Sequence, residues 1–589
     1  MPNLEQLLRV PYVDAGLKYA LSPDEKRIVF SWNKSGTWEL WESRGSENRE
    51  LEIGLAGAKS SPRFSPDGTK IAFALDIDGS ESYHIAIHDF SDNSTTDLTP
   101  DVLFAHQPNI AWSADGKTLA VLSDAKGTFA LYLLPLDGSP TRMIRNFFHP
   151  SWDVAWSPDG MWLAVESEST ASDRMLHIVP MGRRKGPKVS TVQLEIGGKP
   201  LNAQHPVWSP DSKSLAFSCE NSEWFNIGIY DIETRKIRWV TDSIGDDTQP
   251  AWSRSGDTIG WVHSEGARTS FQFKQGGDAI REVKVGEGVH AHPQIMADGV
   301  IIVYEDVNHP SDLWKINFDS GQAVQLTRSL DEELNFPKPE EVWYPGIDGV
   351  QVPALLYRAN GSECAVLDIH GGPNWHLQFS WNPIVSLMML QGWTVLAPNY
   401  RGSTGYGKTW QNASRYDMGG VDNDDCAAGA KYLLGNGFAK KIAVTGRSHG
   451  GYLTMTCLTS YPDLFVGGSA GVPFLNWIKS HYESREDLQH WNIENMGDPE
   501  ENKELWIARS PYFFLDRVNA PVQMICGEND PRCPASESID ARDKLVELGK
   551  EVELLLYKGE GHSFLKIENV IDAEVKRMEF LKRILDDGR

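Results

Sequence analysis

The chain contains few cysteines for its length, six among 589 residues. Their spacing matches neither a paired metal-ligand motif nor the density of a disulfide framework. We therefore expect reduced thiols, no metal site and no cofactor. The six residues are Cys219, Cys364, Cys426, Cys457, Cys526 and Cys533.

Long apolar stretches are also missing. No run approaches the roughly 18 residues that a membrane-spanning helix needs. The N-terminus has no basic start followed by an apolar segment, so a secretory signal is not indicated. We expect a soluble, cytoplasmic protein with no membrane partner.

Positive charge is in deficit: 56 Lys and Arg stand against 81 Asp and Glu, a formal net charge of −25. Such a field repels phosphate backbones and argues against nucleic acid as a partner. The remaining composition, 40% hydrophobic and 23% charged residues, is ordinary for globular proteins. The chain can therefore bury sizeable cores.

One phrase recurs through the first half of the sequence. It consists of an aromatic or apolar residue, Ser-Pro-Asp-Gly or a relative, a short polar step, and alternating apolar residues. Proline, aspartate and glycine favour a tight turn, and the alternation favours strands on both sides. The copies begin at Leu21, Phe64, Trp112, Trp156, Trp208 and Trp252, with a degenerate seventh at Met296.

The spacing of these copies identifies the architecture. Successive serines, with Met296 in the last place, lie 43, 48, 44, 52, 44 and 43 residues apart. Four-stranded propeller blades are about 40 to 50 residues long. The sequence therefore predicts an all-β seven-bladed propeller, in which the tryptophans before the turns pack between blades.

Beyond Pro337 a hairpin-like segment, 342–357, leads into strands that alternate with helices, which predicts a parallel sheet. Ligand sites in such sheets lie beyond the carboxyl ends of the strands. The apolar runs that we interpret as strands are 365–369, 394–397, 442–445, 522–526 and 552–557.

A nucleophile candidate follows the third of these strands. Gly446-Arg-Ser448-His-Gly450 stands between a strand and a helix-compatible stretch, the context of a Gly-x-Ser-x-Gly nucleophile elbow. The glycines are expected because a Cβ would collide in so tight a turn. This pattern predicts an α/β-hydrolase catalytic domain with Ser448 as its nucleophile.

A serine nucleophile needs a base and an acid that orients the base, in the chain order Ser, acid, His for this fold. Asp530 follows one downstream strand and His562 follows the next. Glu528, Asp516 and Asp540 are less well placed. We therefore predict the triad Ser448, Asp530 and His562.

Backbone N–H groups are predicted to bind the oxyanion. One should belong to His449, directly after the nucleophile, and the other to the loop containing Gly371 and Gly372. His481 and His490, in a polar helical segment, are expected at the surface. Phe474 and Trp477 are expected either to line a specificity pocket or to lie in the buried core.

These residues and motifs resemble the prolyl oligopeptidase family of serine peptidases, and its acylaminoacyl-peptidase branch most closely. The resemblance extends over almost the whole chain. It rests on the propeller turns and on His370-Gly-Gly-Pro, Asn399-Tyr-Arg-Gly-Ser-Thr-Gly-Tyr-Gly, Gly446-Arg-Ser-His-Gly-Gly-Tyr, Asp530-Pro-Arg and Gly561-His562.

The resemblance implies a propeller that caps the active site, short peptides as substrates, and Arg532 as a ligand for a substrate carbonyl. His370 stands where prolyl oligopeptidases and dipeptidyl peptidases have an oxyanion-binding Tyr. Paired glutamates that would anchor a free amino terminus are not evident. These features favour release of N-acylated amino acids or cleavage of oligopeptides over a dipeptidyl peptidase, without excluding the latter.

Other functions stay open. An esterase would use the same chemistry, and a binding or scaffold protein would carry an inactive hydrolase domain. We also expect that open sheet edges allow the protein to self-associate. The predicted domains are an N-terminal helical segment, 1–15, packing on the hydrolase, the propeller, 16–335, and the hydrolase domain, 336–589.

Overall fold

The computed structural model describes residues 4–45, 47–100, 104–169, 173–181, 191–332, 334–361 and 363–586. The chain divides into two compact units. One comprises Pro11–Ile77 and Glu81–Glu333, and the other comprises Met1–Val10, Asp78–Ser80 and Leu334–Arg589. We predicted boundaries after residues 15 and 335 and did not anticipate that Asp78–Ser80 groups with the second unit.

The first unit is a seven-bladed propeller, and each blade is a four-stranded antiparallel sheet with its strands in chain order. The strands of blades one to four are β1 (Ala20–Leu21), β2 (Ile28–Trp32), β3 (Glu39–Arg44), β4 (Glu47–Glu50), β5 (Ala58–Phe64), β6 (Lys70–Asp76), β7 (His84–Asp89), β8 (Ser94–Asp97), β9 (Ala111–Trp112), β10 (Thr118–Ser123), β11 (Ala130–Pro135), β12 (Arg142–Arg145), β13 (Ser151–Trp156), β14 (Trp162–Glu168), β15 (Arg174–Pro180) and β16 (Val192–Gln193).

A two-stranded ribbon separates blades four and five. Its strands and those of the last three blades are β17 (Glu195–Ile196), β18 (Lys199–Pro200), β19 (Ala203–Trp208), β20 (Ser214–Cys219), β21 (Asn226–Asp231), β22 (Ile237–Trp239), β23 (Asp246–Trp252), β24 (Thr258–Glu265), β25 (Arg268–Gln275), β26 (Arg281–Val283), β27 (Val289–Met296), β28 (Gly299–Asp306), β29 (His309–Asn317) and β30 (Ala323–Gln325).

The recurring turn joins the first and second strands of a blade, as the sequence predicts. In the second blade the Ser65 hydroxyl donates to Asp67 (2.6 Å) and accepts from the Lys70 N–H (2.9 Å). Asp67 also accepts the Thr69 N–H (3.0 Å). The serine therefore closes the hairpin from within, a role that recurs at Ser113, Ser157 and Ser209.

The tryptophans that precede these turns do pack between blades. The indole N–H of Trp208 in blade five donates to the Ala155 carbonyl in blade four (3.0 Å), and Trp112 bonds in the same way to Arg63 in the blade before it (2.9 Å). The indole N–H of Trp252 is buried without an acceptor in the part of the chain that is described.

The first and last blades close the circle through side chains. The Tyr19 hydroxyl donates to the carbonyl of Ile301 (2.7 Å), and the indole N–H of Trp32 donates to Ser329 (3.0 Å). A shared apolar cluster that includes Phe30 and Leu313 fills the space between the two sheets. Closure therefore depends on contacts between the two ends of the propeller sequence.

The difference between Trp208 and Trp252 supplies a matched test of the inter-blade bond. We expect Trp208→Phe to lower the free energy of unfolding more than Trp252→Phe by about 1 kcal/mol, because only Trp208 loses a hydrogen bond. Urea denaturation of the two variants measures this difference. Equal losses would contradict a stabilising role for the inter-blade bond.

The second unit contains an eight-stranded sheet in the order β31-β32-β34-β33-β35-β36-β37-β38. Strands β33 to β38 are parallel to one another, whereas β31 and β32 form an antiparallel hairpin at one edge and β32 is antiparallel to β34. The strands are β31 (Glu340–Pro345), β32 (Gln351–Tyr357), β33 (Cys364–Ile369), β34 (Thr394–Pro398), β35 (Lys441–Arg447), β36 (Gly467–Gly471), β37 (Val522–Gly527) and β38 (Val552–Tyr557).

Helices pack on the sheet through two apolar clusters. Val444 of β35 belongs to the cluster that also contains Leu453 of α5, and Ala443 belongs to the one that contains Leu581 of α10. Because neighbouring strand residues point to opposite faces, the two clusters lie on opposite faces of the sheet. The helices are α1 (Leu4–Leu8), α2 (Pro383–Leu390), α3 (Lys408–Gln411), α4 (Val421–Gly435), α5 (His449–Ser460), α6 (Trp477–Glu483), α7 (Glu486–Met496), α8 (Lys503–Ala508), a 3₁₀ helix (Pro511–Arg517), α9 (Ala535–Glu547) and α10 (Ile567–Asp586).

The N-terminal helix α1 belongs to this unit. Leu7 and Leu8 are buried in the cluster that contains α10, and Arg9 pairs with Glu568 of α10 (2.8 Å). Among the described residues, no helix is both long and apolar enough to cross a membrane.

Candidate active site

The candidate site is formed by loops at one edge of the parallel sheet. Ser448 follows β35, Asp530 follows β37 and His562 follows β38. Because these strands are parallel, their carboxyl ends meet at the same edge. Sheet topology therefore brings together residues that are 114 positions apart in the chain.

Ser448 occupies a sharp turn between β35 and α5. Its φ of +59° lies in the left-handed region that non-glycine residues avoid. A Cβ added at Gly446 would lie 2.5 Å from the carbonyl oxygen of Ile369, and one added at Gly450 would lie 2.0 Å from the same atom. Only glycine fits at either position, as the sequence predicts for a nucleophile elbow.

Ser448, His562 and Asp530 form a hydrogen-bonded chain. The Ser448 hydroxyl lies 3.0 Å from His562 Nε2, and His562 Nδ1 lies 2.8 Å from Asp530 Oδ2. Since a carboxylate only accepts, Nδ1 carries the ring proton and Nε2 can accept one from the serine. Asp530 Oδ1 accepts the N–H groups of Arg532 (2.8 Å) and Cys533 (2.9 Å), which fixes the carboxylate.

The predicted oxyanion donors lie beside the nucleophile. His449 is the first residue of α5, where backbone N–H groups have no acceptor within the helix. The loop at Gly371 approaches so closely that an added Cβ would lie 3.3 Å from the Cβ of Ser448. Gly372, the next residue, has a φ of +123°. The two backbone segments therefore flank Ser448.

The side chain of His370 supports this loop from within. Its Nδ1 donates to the Gly371 carbonyl (2.7 Å), and its Nε2 lies 2.9 Å from the Ser403 hydroxyl. Burial lowers the pKa of His370 to about 3, so the ring is neutral. The Tyr400 hydroxyl donates to the His370 carbonyl (2.9 Å). Both ring nitrogens are thus engaged within the protein, although we predicted substrate contact for this residue.

Sequence reasoning missed a buried partner of His449. Its Nε2 lies 3.0 Å from Asp422 Oδ2, and both side chains are almost fully buried. Asp422 Oδ1 also accepts the N–H groups of Gly419 (2.7 Å) and Asn423 (2.9 Å) at the start of α4. The pair therefore ties the residue after the nucleophile to a neighbouring helix. No local pattern identifies Asp422, because it lies 27 residues before its partner.

Two further supports were also missed. Arg447, directly before the nucleophile, donates to the carbonyl of His562. Glu537 of α9 accepts the backbone N–H groups of Leu475 and Asn476, each at 2.7 Å. These contacts hold the histidine loop and the segment after Phe474, and both depend on residues distant in sequence.

The remaining predicted residues occupy different environments. Trp477 is 1% exposed, its indole N–H donates to the Tyr452 hydroxyl (3.1 Å), and it belongs to the hydrophobic core. Phe474 is buried against Tyr452 and lies 6.1 Å from the His449 ring. Arg532 is exposed. The surface expectation for His481 is wrong: it is 5% exposed because its ring packs on Trp506.

The propeller contains a separate cavity of about 740 Å³. Charged residues line it, among them Lys18, Arg63, Asp153 and Glu166, and Lys18 pairs with Asp153 (2.8 Å). Burial raises the pKa of Glu166 to about 7. Ser448, Asp530 and His562 all belong to the other unit. The hydrolase unit is therefore the better candidate for chemistry.

The fold and this geometry define a class: a serine hydrolase of the α/β-hydrolase fold joined to a β-propeller. Family profiles agree. Residues 377–588 match the prolyl oligopeptidase family, and residues 59–206 match the prolyl oligopeptidase N-terminal β-propeller domain. A TolB β-propeller profile matches residues 137–344. The chain belongs to the prolyl oligopeptidase family of serine peptidases.

Two individual proteins match this chain over most of its length. The chain is 24% identical to the uncharacterized peptidase YuxL of Bacillus subtilis, over 90% of this chain and 97% of the relative. It is 24% identical to dipeptidyl-peptidase 5 of Porphyromonas endodontalis, over 94% of this chain and 90% of the relative.

Solved structures share the fold. A puromycin-hydrolyzing peptidase from Mycobacterium tuberculosis superposes with a TM-score of 0.87 at 19% identity, covering 99% of this chain and 96% of the other. The acylaminoacyl peptidase of Pyrococcus horikoshii gives 0.76 at 19% identity, covering 100% and 98%.

The His449–Asp422 pair yields a testable prediction. We expect Asp422→Ala to lower the free energy of unfolding by about 3 kcal/mol, because a buried ring N–H and two backbone N–H groups lose their acceptor. A loosened His449 N–H should also lower kcat by about tenfold, or about 1.4 kcal/mol. Chemical denaturation and steady-state kinetics measure the two effects.

Asp422→Asn is the matched control, since its amide oxygen can still accept the backbone N–H groups of Gly419 and Asn423. It should retain more stability than the alanine variant. An alanine variant with unchanged stability and kcat would contradict the supporting role of Asp422.

Proposed function

We propose that the protein hydrolyses short peptides through an acyl-enzyme on Ser448, with Asp530 and His562 completing the triad. One observation carries the proposal: the continuous chain from the Ser448 hydroxyl to His562 (3.0 Å) and from His562 to Asp530 (2.8 Å). A serine hydroxyl becomes nucleophilic when an oriented base accepts its proton.

In the proposed acylation step, Ser448 Oγ attacks the carbonyl carbon of the scissile bond while His562 Nε2 takes the hydroxyl proton. Asp530 stays ionised and stabilises the imidazolium. The developing oxyanion accepts hydrogen bonds from the N–H of His449 and from the Gly371-Gly372 loop. A single such donor contributes about 3 kcal/mol to transition-state stabilisation.

His562 then gives its proton to the leaving amine, and the C–N bond breaks. In the second step, His562 activates a water molecule that attacks the acyl carbon, and the proton returns to Ser448 Oγ as the ester bond breaks. The reaction needs no metal or cofactor in this scheme.

For substrate class, we infer short peptides rather than folded proteins, with N-acylated amino acids or oligopeptide fragments as products. The motif His370-Gly-Gly-Pro and the fold shared with an acylaminoacyl peptidase support this choice. A dipeptidyl or prolyl oligopeptidase-type activity is the alternative, supported by the similarity to a dipeptidyl-peptidase 5. An esterase acting on small acyl esters would use the same residues.

Ser448→Ala tests the nucleophile. Without the hydroxyl no acyl-enzyme forms, and we expect kcat/KM to fall by at least about 10⁴-fold, as in other triad enzymes. Peptide hydrolysis assays measure the loss, and circular dichroism checks that the fold is kept. A fluorophosphonate probe should label the natural protein and not the variant. Retained turnover would refute the assignment of Ser448.

Product analysis separates the substrate modes. Mass spectrometry of digests of acetylated peptides and their unblocked counterparts should show acetylated single amino acids only from the blocked series. Release of dipeptides from unblocked peptides alone would favour a dipeptidyl peptidase over an enzyme that releases N-acylated amino acids.

A comparison of substrates separates a peptidase from an esterase. If peptides are the natural substrates, acyl-amino-acid anilides should be hydrolysed faster than simple esters.

Location and assembly are further proposals. Six free thiols, five of them buried, suit a reducing compartment, and we propose the cytoplasm. Cell fractionation checks it. Self-association remains a prediction that light scattering can address.

A further inference from the structure

Cys533 lies next to the pair of residues that orient the proposed base. Its Sγ, a carboxylate oxygen of Asp530 and a ring nitrogen of His562 all lie within 4.8 Å of one another. All three residues are buried, with exposures of 4%, 6% and 8%. No other such group of histidine, cysteine and carboxylate side chains occurs within the described residues.

The loop after β37 fixes this arrangement. Asp530 Oδ1 accepts the backbone N–H of Cys533 (2.9 Å), so the same carboxylate that orients His562 also positions the cysteine. Its other oxygen contacts His562 Nδ1 (2.8 Å). Because Asp530 contacts Nδ1 and the Ser448 hydroxyl contacts Nε2, a cation shared with the Asp530 carboxylate would be nearest to Nδ1.

Thiolate, imidazole and carboxylate together form a ligand set for a borderline-soft divalent cation. Zn²⁺ binds all three, at roughly 2.3 Å to sulfur and 2.0–2.2 Å to nitrogen and oxygen, usually with tetrahedral geometry. Three protein ligands leave a fourth position for water. Hard cations such as Mg²⁺ prefer oxygen ligands and are not expected here.

We propose that Asp530, Cys533 and His562 form an inhibitory zinc site. The effect on activity rests on the proposed function of these residues, whereas metal binding does not. Zn²⁺ would bond to Sγ, to an Asp530 oxygen and to His562 Nδ1, and the hydrogen bond between Asp530 and His562 would break. The thiol proton goes to solvent.

The consequence for His562 follows from its tautomers. The free site keeps the ring proton on Nδ1, where Asp530 accepts it, and leaves Nε2 able to accept a proton from Ser448. A metal on Nδ1 requires the neutral ring to carry its proton on Nε2 instead. That nitrogen faces Ser448 and can no longer act as a base. Inhibition should therefore be complete and reversible by a chelator.

The first experiment measures peptide hydrolysis by the full-length protein after preincubation with increasing ZnCl₂. We expect inhibition at micromolar zinc that EDTA reverses, and none with Mg²⁺. Cys533→Ala should need at least about 100-fold more zinc for half-maximal inhibition. Losing a group that only supports a metal ligand already lowers metal affinity by up to about 100-fold, and Cys533 would be a ligand itself. The inhibition of each variant is expressed relative to its own hydrolysis rate without zinc.

Cys526 supplies a matched control. It is a buried cysteine on β37, seven residues before Cys533, and it does not belong to the cluster. Cys526→Ala should keep the full zinc sensitivity. Equal inhibition of the natural protein and Cys533→Ala, or no inhibition at millimolar zinc, would overturn the proposal.

A second readout does not depend on activity. Co²⁺ bound to a thiolate gives a near-ultraviolet charge-transfer band, which we expect in the natural protein and in Cys526→Ala but not in Cys533→Ala. If the protein hydrolyses no peptide or ester yet shows this Cys533-dependent band, the metal site stands and the proposed function fails. If hydrolysis is normal and no such band forms, the metal site fails and the function stands.

Discussion

The arrangement of the candidate active site depends on the strained backbone of Ser448. Its positive φ lifts the hydroxyl out of the line of β35 and turns the chain directly into α5. Such a conformation persists only when its surroundings leave no alternative. Here the Ile369 carbonyl of the neighbouring strand lies so close to Gly446 and Gly450 that no side chain could be accommodated. The sheet and the elbow are therefore mutually dependent.

The site contains three histidines, His370, His449 and His562, and their hydrogen-bond partners indicate a different role for each. Those of His370 are the carbonyl of Gly371 and the hydroxyl of the distant Ser403, and burial keeps the ring neutral. His449 bonds to the buried carboxylate of Asp422. Only His562 combines a carboxylate on one nitrogen with the serine hydroxyl on the other. Thus the geometry, rather than the residue type, selects the base.

The fold was largely predictable from the sequence because its signals are local. The Ser-Pro-Asp-Gly turns are formed by residues at most five positions apart, and the strands of the parallel sheet other than β36 contain apolar runs. The elbow and its glycines form another local signal. Chain order then restricted the acid and the base to a few candidates.

The supports of the site were not predictable in this way. Asp422, Glu537 and Ser403 act on residues 27 to 62 positions distant, and the partners of Glu537 are backbone groups that every residue carries. The surface expectation for His481 was wrong because a polar helical segment can still bury one face, whereas Trp477 took the buried-core alternative. The ring of His481 and that of Trp477 both pack on Trp506, which sequence spacing does not reveal.

The contact between α1 and α10 has a consequence for the order of folding. Arg9 and Glu568 are separated by 559 residues, so α1 cannot form this ion pair until α10 has been synthesised. Tyr19 must likewise wait for Ile301, 282 residues later, before the ring of blades closes. Each blade can form early because its turns are local. Leu7 and Leu8 share their apolar cluster with residues of both α2 and α10, so the packing of α1 is complete only after α10 has been made.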